Sequence, residues 1–215
     1  MLPTGWTERL ARGTLLALFA TVLAACGTVG GSRGVAGGPP AAAGPVAADV
    51  LARYDELVGR IRAGDEAAVA DLAKFSEAHP DLAGPLVNLG LASARAGDEQ
   101  AAQGHFLRAT QVCQQCGPAW NELGVLARRQ GRFADAEQAY LKAIEAQPGY
   151  AIAYFNLAML YELYVPRPEL ALQNYERYLE LGGPAEVDPE VEKWVADLRR
   201  RAANTPTSAR SEPTT

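Results

Sequence analysis

Cys113-Gln-Gln-Cys116 is the one grouping in the chain whose residue types and spacing invite covalent chemistry. Two thiols so close can hold zinc, attach haem, exchange disulfides or close into a local bridge. Zinc needs about four ligands, and only His105 lies anywhere near; a ribbon would need a second cysteine pair, and the chain has 3 cysteines. Covalent haem needs His directly after the second Cys, where Gly117 stands. A thiol-redox centre needs a strand leading into a helix, whereas this pair falls at the end of a helical pattern. A local disulfide, free thiols and disulfide exchange stay open.

Other chemistry is thinly provided. The histidines number 2: His79 precedes Pro80 at a helix end, and His105 lies within a helix, so helix-surface and solvated roles fit both. Asp135/Glu137 and Glu186/Asp188/Glu190 have spacings of solvated faces and capping groups rather than of an acid–base pair. No Ser/His/Asp set is visible, and the glycines of 27–38 lead into no phosphate-cradling pattern. Neither a cofactor nor a metal is expected. A formal charge of −5 and a pI near 5.2 remove the general attraction to nucleic acid. Core-spaced aromatics argue against a base-stacking platform.

The elements that must position these residues come from apolar spacing. The 215 residues are 48% hydrophobic but only 7% aromatic, so the apolar mass is mostly Ala, Leu and Val at helical spacing. Closely packed helices are predicted, not a sandwich or barrel. Before them, Arg9 and Arg12 precede the apolar run Thr14–Ala25. As a helix that run reaches only ~18 Å, short of a ~30 Å hydrocarbon core, and it reads as a secretory signal over residues 1–25. Leu23-Ala24-Ala25-Cys26 resembles the bacterial lipobox, which implies cleavage before Cys26 and acylation of its sulfur. Gly27 rather than Asp then implies the inner leaflet of the outer membrane, with the chain facing the periplasm. Several acyl chains anchor stably where one is marginal. Gly/Ala/Pro-rich residues 26–48 read as a flexible tether with a mean reach of about 25 Å. In that oxidising compartment the two cysteines left after lipidation favour the local disulfide.

Self-similarity decides the fold expectation. Trp120, Leu123, Gly124, Ala127, Ala136, Tyr140, Ala143 and Pro148 resemble a tetratricopeptide repeat, with Ala127 departing from the usual Tyr. The period of 34 residues carries this back to Leu86, Leu89, Gly90, Ala102, Phe106 and Ala109. Forward, it reaches Tyr154, Leu157, Ala158 and Tyr161, with Ala171 and Tyr175 one residue late and Val165–Pro168 holding the extra residue. A degenerate repeat over 49–82 keeps Ala68, Leu72 and Pro80; Asp55 and Glu56 stand where the Leu-Gly pair is expected. Repeats at 83–116, 117–150 and 151–184 complete an array over 49–184. Gly97 and Gly131 mark turns within hairpins, Asp65 and Asp98 stand where they can cap second helices, and Pro80 and Pro148 stop them. Val191, Trp194, Val195 and Leu198 predict an amphipathic capping helix over 185–203, ending in Arg199-Arg200-Arg201. Ser/Thr/Pro-rich residues 204–215 read as a disordered tail. The expected class is all-α, an α-solenoid of stacked helical hairpins.

The resemblance also implies a role. Such arrays line a concave groove with the first helices of their hairpins, and register places Asn88, Arg95, Asn121, Val125, Arg128, Phe155, Asn156 and Met159 toward it. The asparagines would hold an extended peptide backbone, and Val125, Phe155 and Met159 would offer apolar contact; the alternative is that about half of the set packs between repeats instead. Glu122 occupies a slot that is basic in relatives clamping a C-terminal carboxylate, so that clamp is not expected. The reading is a non-catalytic, membrane-anchored periplasmic scaffold that binds a protein or peptide segment of an envelope complex. Its alternatives are a thiol–disulfide protein using Cys113 and Cys116, and an end-to-end self-assembling element.

Overall fold

The computed structural model describes residues 46–183 and 188–204. The signal segment, Cys26, most of the tether and most of the tail therefore lie outside the described residues. Among the described residues every regular element is a helix: α1 Ala48–Arg62, α2 Ala67–Ala78, α3 Ala83–Arg95, α4 Glu99–Val112, α5 Gly117–Arg129, α6 Phe133–Ala146, α7 Ala151–Leu163, α8 Pro168–Glu180 and α9 Asp188–Asn204. The fold is all-α, built of stacked antiparallel hairpins in the manner of an α-solenoid. The helices fall into two compact units, α1–α4 ending at Cys116 and α5–α9 beginning at Gly117. No helix among the described residues is long and apolar enough to cross a membrane.

The α3–α4, α5–α6 and α7–α8 hairpins close because one small residue faces one large ring. A Cβ on Gly90 of α3 would stand 2.4 Å from the Phe106 ring of α4, and one on Gly124 of α5 would stand 2.5 Å from Tyr140 of α6. Ala158 of α7 and Tyr175 of α8, in the matching slots, are both buried. The turns are equally regular. Gly97 has φ +83°, with the Asp98 N–H reaching back to the Ser93 carbonyl; Gly131 has φ +72°, with Arg132 bonding Ala127. This is the left-handed glycine close of a helix. Asp98 then starts α4, its Oδ1 accepting the Ala101 N–H at 2.9 Å. Asp65 acts one residue further out, with Glu66 at the cap position, and its Oδ1 accepts the Ala67 N–H at 3.0 Å. The α7–α8 turn lacks such a glycine: Val165 bonds back to Leu160 and Arg167 to Tyr161, and Pro168 opens α8.

In α1 the structure corrects the register read from sequence. Asp55 and Glu56 are exposed, and the buried face is Tyr54, Leu57, Val58 and Ile61. The Gly64 turn, φ +87°, sets this hairpin one residue shorter than the α3–α4 and α5–α6 hairpins. That shift brings Leu57 into the glycine slot, opposite a second-helix slot held by Leu72 instead of an aromatic, and both are fully buried. Two medium side chains thus replace one small and one large, keeping the interior filled. In the second unit α9 lays Val191, Val195 and Leu198 into the same core as Phe155, Tyr175 and Tyr178.

Candidate interaction surface

Asn88, Glu122 and Asn156 occupy one register position, 34 apart, on the first helices α3, α5 and α7, and all three are buried; Tyr54 stands 34 residues before Asn88 on α1, one place out of that register because of the Gly64 turn, and is buried too. In the first unit the Asn88 amide donates to the Tyr54 hydroxyl, tying α3 to α1. In the second unit the chain of donors is longer. Asn156 of α7 donates to Asn121 Oδ1 at 2.8 Å, and Asn121 donates to Glu122 Oε1 at 3.0 Å. Asn121 is 0% exposed. Leaving its amide unpaired would cost about 1–3 kcal/mol, so the bonds fix the α5–α7 spacing.

Glu122 is the unusual member of this column. It is 7% exposed, and burial pushes its carboxyl up to about 7, against the Asn121 bond and the Arg128 charge that pull it down. Half-buried Tyr150, at the entrance to α7, has its hydroxyl buried without a hydrogen-bond partner; burial raises it well above the ordinary range, and the Glu122 charge adds to this. Arg128 is held one and a half turns further along α5. Its Nε donates to Tyr140 at 3.3 Å, and its guanidinium lies 5.6 Å over the Tyr164 ring. Burial pushes the Tyr140 hydroxyl up to about 12.

Several residues assigned to a groove by register are interior residues. Phe155, 3% exposed, has ring centroids of Tyr178, Tyr175 and Trp194 at 5.4, 6.1 and 6.2 Å. Met159 is buried in the same cluster. The capping helix packs on this hairpin and closes over both. Asn88, Asn121 and Asn156 are likewise buried, their amides spent on helix–helix bonds. Arg95 is exposed at the end of α3, and Val125 and Arg128 are half-buried on α5. These three retain surface. Glu162 is tied on both oxygens, by Tyr175 at 3.0 Å and Arg201 at 3.0 Å. Cys113 and Cys116 are joined by a disulfide. No cluster of three or more His, Cys, Asp or Glu able to hold a metal occurs among the described residues. Tyr54 and Tyr150 were not singled out from sequence; the polar column at a period of 34 was the signal that could have found the first.

Residues 117–150 match the family model described as tetratricopeptide repeat, and residues 139–181 match a second model of the same description. These hairpins are tetratricopeptide repeats. No curated protein matches the chain. A solved structure titled as the functional characterization of Pseudomonas aeruginosa pilF is similar at a TM-score of 0.61 and 22% identity, over 72% of this chain and 69% of that one. MamA from Desulfovibrio magneticus RS-1, residue 41 to its end, is similar at 0.55 and 18%, over 76% and 91%. A further MamA crystal structure stands at 0.51 and 26%, over 62% and 73%. These likenesses bear on the fold, an all-α array of stacked helical hairpins.

Proposed function

We propose that this chain is a non-catalytic scaffold of the bacterial envelope, anchored through acylated Cys26 to the inner leaflet of the outer membrane. It faces the periplasm and binds a protein or peptide segment of an envelope machine. The observation that carries the reading is the repetition itself. Within the second unit the first helices α5 and α7, built to one register, offer successive turns at matching positions, which suits an extended partner better than a compact substrate. Support for the anchor comes from the lipobox-like Leu23–Cys26 and the tether after it. Contact falls to Val125 and Arg128 in the second unit, where buried Asn121, Asn156, Phe155 and Met159 shape the helices beneath; Arg95 is the exposed candidate of the first unit taken by itself. The test is affinity capture from solubilised envelopes with wild type and with Val125→Glu/Arg128→Glu. Loss of a discrete band from the variant, with helicity unchanged, supports the scaffold; identical profiles overturn it. Radiolabelled palmitate incorporated by wild type but not by Cys26→Ser tests the anchor.

The Cys113–Cys116 bond also favours a second reading, a thiol–disulfide protein. An insulin-reduction assay separates the two, and the scaffold account expects no turnover.

A further inference from the structure

The three junctions between successive hairpins are the same turn. Leu82 donates to the His79 carbonyl at 3.1 Å, Cys116 to Cys113 at 3.2 Å and Tyr150 to Gln147 at 2.9 Å, each a first-to-fourth-residue bond at spacings of 34. The residue opening each turn lies outside the helical region, with φ/ψ of −128°/66° at His79, −133°/99° at Cys113 and −145°/85° at Gln147. Two of these have a local cause. Pro80 and Pro148 follow His79 and Gln147, and proline both fixes its own φ and drives the preceding residue out of the helical region. At the middle junction Gln114 holds the proline position, so the sequence there supplies no such constraint. It supplies a different one. The turn brings the Cα atoms of Cys113 and Cys116 to 5.4 Å, inside the range a disulfide spans, and the two are bonded.

We propose that the Cys113–Cys116 disulfide is a turn lock standing in for the missing proline, and that the pair is a redox-modification site controlling this junction alone. The ligand class is a dithiol. One of its thiolates attacks a sulfur of the pair, breaking the S–S bond and forming a mixed disulfide while the other cysteine leaves as thiolate. The second thiol of the dithiol then displaces the first cysteine. Two electrons and two protons pass to the protein, the dithiol becomes a disulfide, and a free turn remains. Cys113 is the more exposed of the pair, flanked by exposed Gln114 and Gln115; Cys116 is buried. The inference is independent of any partner, since it concerns a turn within the first unit.

Amide exchange on the full chain tests it, with the Leu82 and Tyr150 amides as controls inside the molecule. Reduction should speed exchange at the Cys116 amide about ten-fold while Leu82 and Tyr150 hold. Cys113→Ser/Cys116→Ser should match the reduced protein. Adding Gln114→Pro to that variant should recover about two-fold or more of the protection and leave no response to reductant. Unchanged exchange at Cys116 on reduction, equal loosening of all three turns, or failure of Gln114→Pro to restore protection in a folded variant would each overturn the turn lock. Should the serine variant not fold, the wild-type comparison decides by itself.

Discussion

Glu122 shows what a single residue can do inside a stack of helices. Its carboxyl is held near 7 in the fold against an ordinary 4.5, so the folded state prefers the proton. Stability from this group is complete below the unfolded value and is lost as pH rises toward 7. At about 1.4 kcal/mol per pKa unit, the loss between pH 4.5 and 7.5 is on the order of 3 kcal/mol. Glu122→Gln should remove that fall. Urea midpoints at pH 5 and pH 7.5 measure it, and equal pH dependence in both proteins would refute the assignment. Phe155 makes the complementary point. Its aromatic neighbours predict that Phe155→Ala costs about 3–5 kcal/mol in denaturant unfolding, a core loss instead of a selective loss of partner binding. Register placed Asn88, Asn121, Phe155, Asn156 and Met159 on a groove from sequence. That some of the set would pack between repeats was foreseeable, but which ones was not, because periodicity reports the face of a helix and not whether the next helix covers it.

At the scale of the hairpin the small-residue–ring pairing was legible, since Gly90/Phe106 and Gly124/Tyr140 sit at matching intervals and a Cβ at either glycine would meet the ring. Gly124→Ala places a methyl 2.5 Å from Tyr140 and should cost about 1–3 kcal/mol. Gly131→Ala meets no neighbour but strains a φ of +72°, at about 1–2 kcal/mol. Adding Tyr140→Leu separates them: in a double-mutant cycle it should couple to the first substitution and be additive with the second. Equal coupling would mean that the close approach is not what glycine provides at 124. The α1 register escaped sequence reading for a related reason. A period of 34 put Asp55 and Glu56 in the apolar slots, whereas the turn at Gly64 governs, and it lies 33 residues before Gly97. Turn chemistry outranked the period.

Over the molecule as a whole, two units share one building plan, and the second is closed by α9. Leu198, buried in that helix, ties the cap to the core that holds Phe155. Leu198→Ala should destabilise the second unit by about 2–5 kcal/mol. Trp120 and Trp194 both lie in that unit, so their fluorescence follows it directly. An unfolding midpoint unmoved from wild type would show that the cap does not share the core. The central claim is that first helices, not second helices, meet a partner. Site-specific photo-crosslinking in intact envelopes tests it, with the probe at Val125 on α5 or at exposed Leu141 on α6. The account predicts a discrete protein adduct from position 125 and none from 141; adducts from 141 alone, or equally from both, would contradict it.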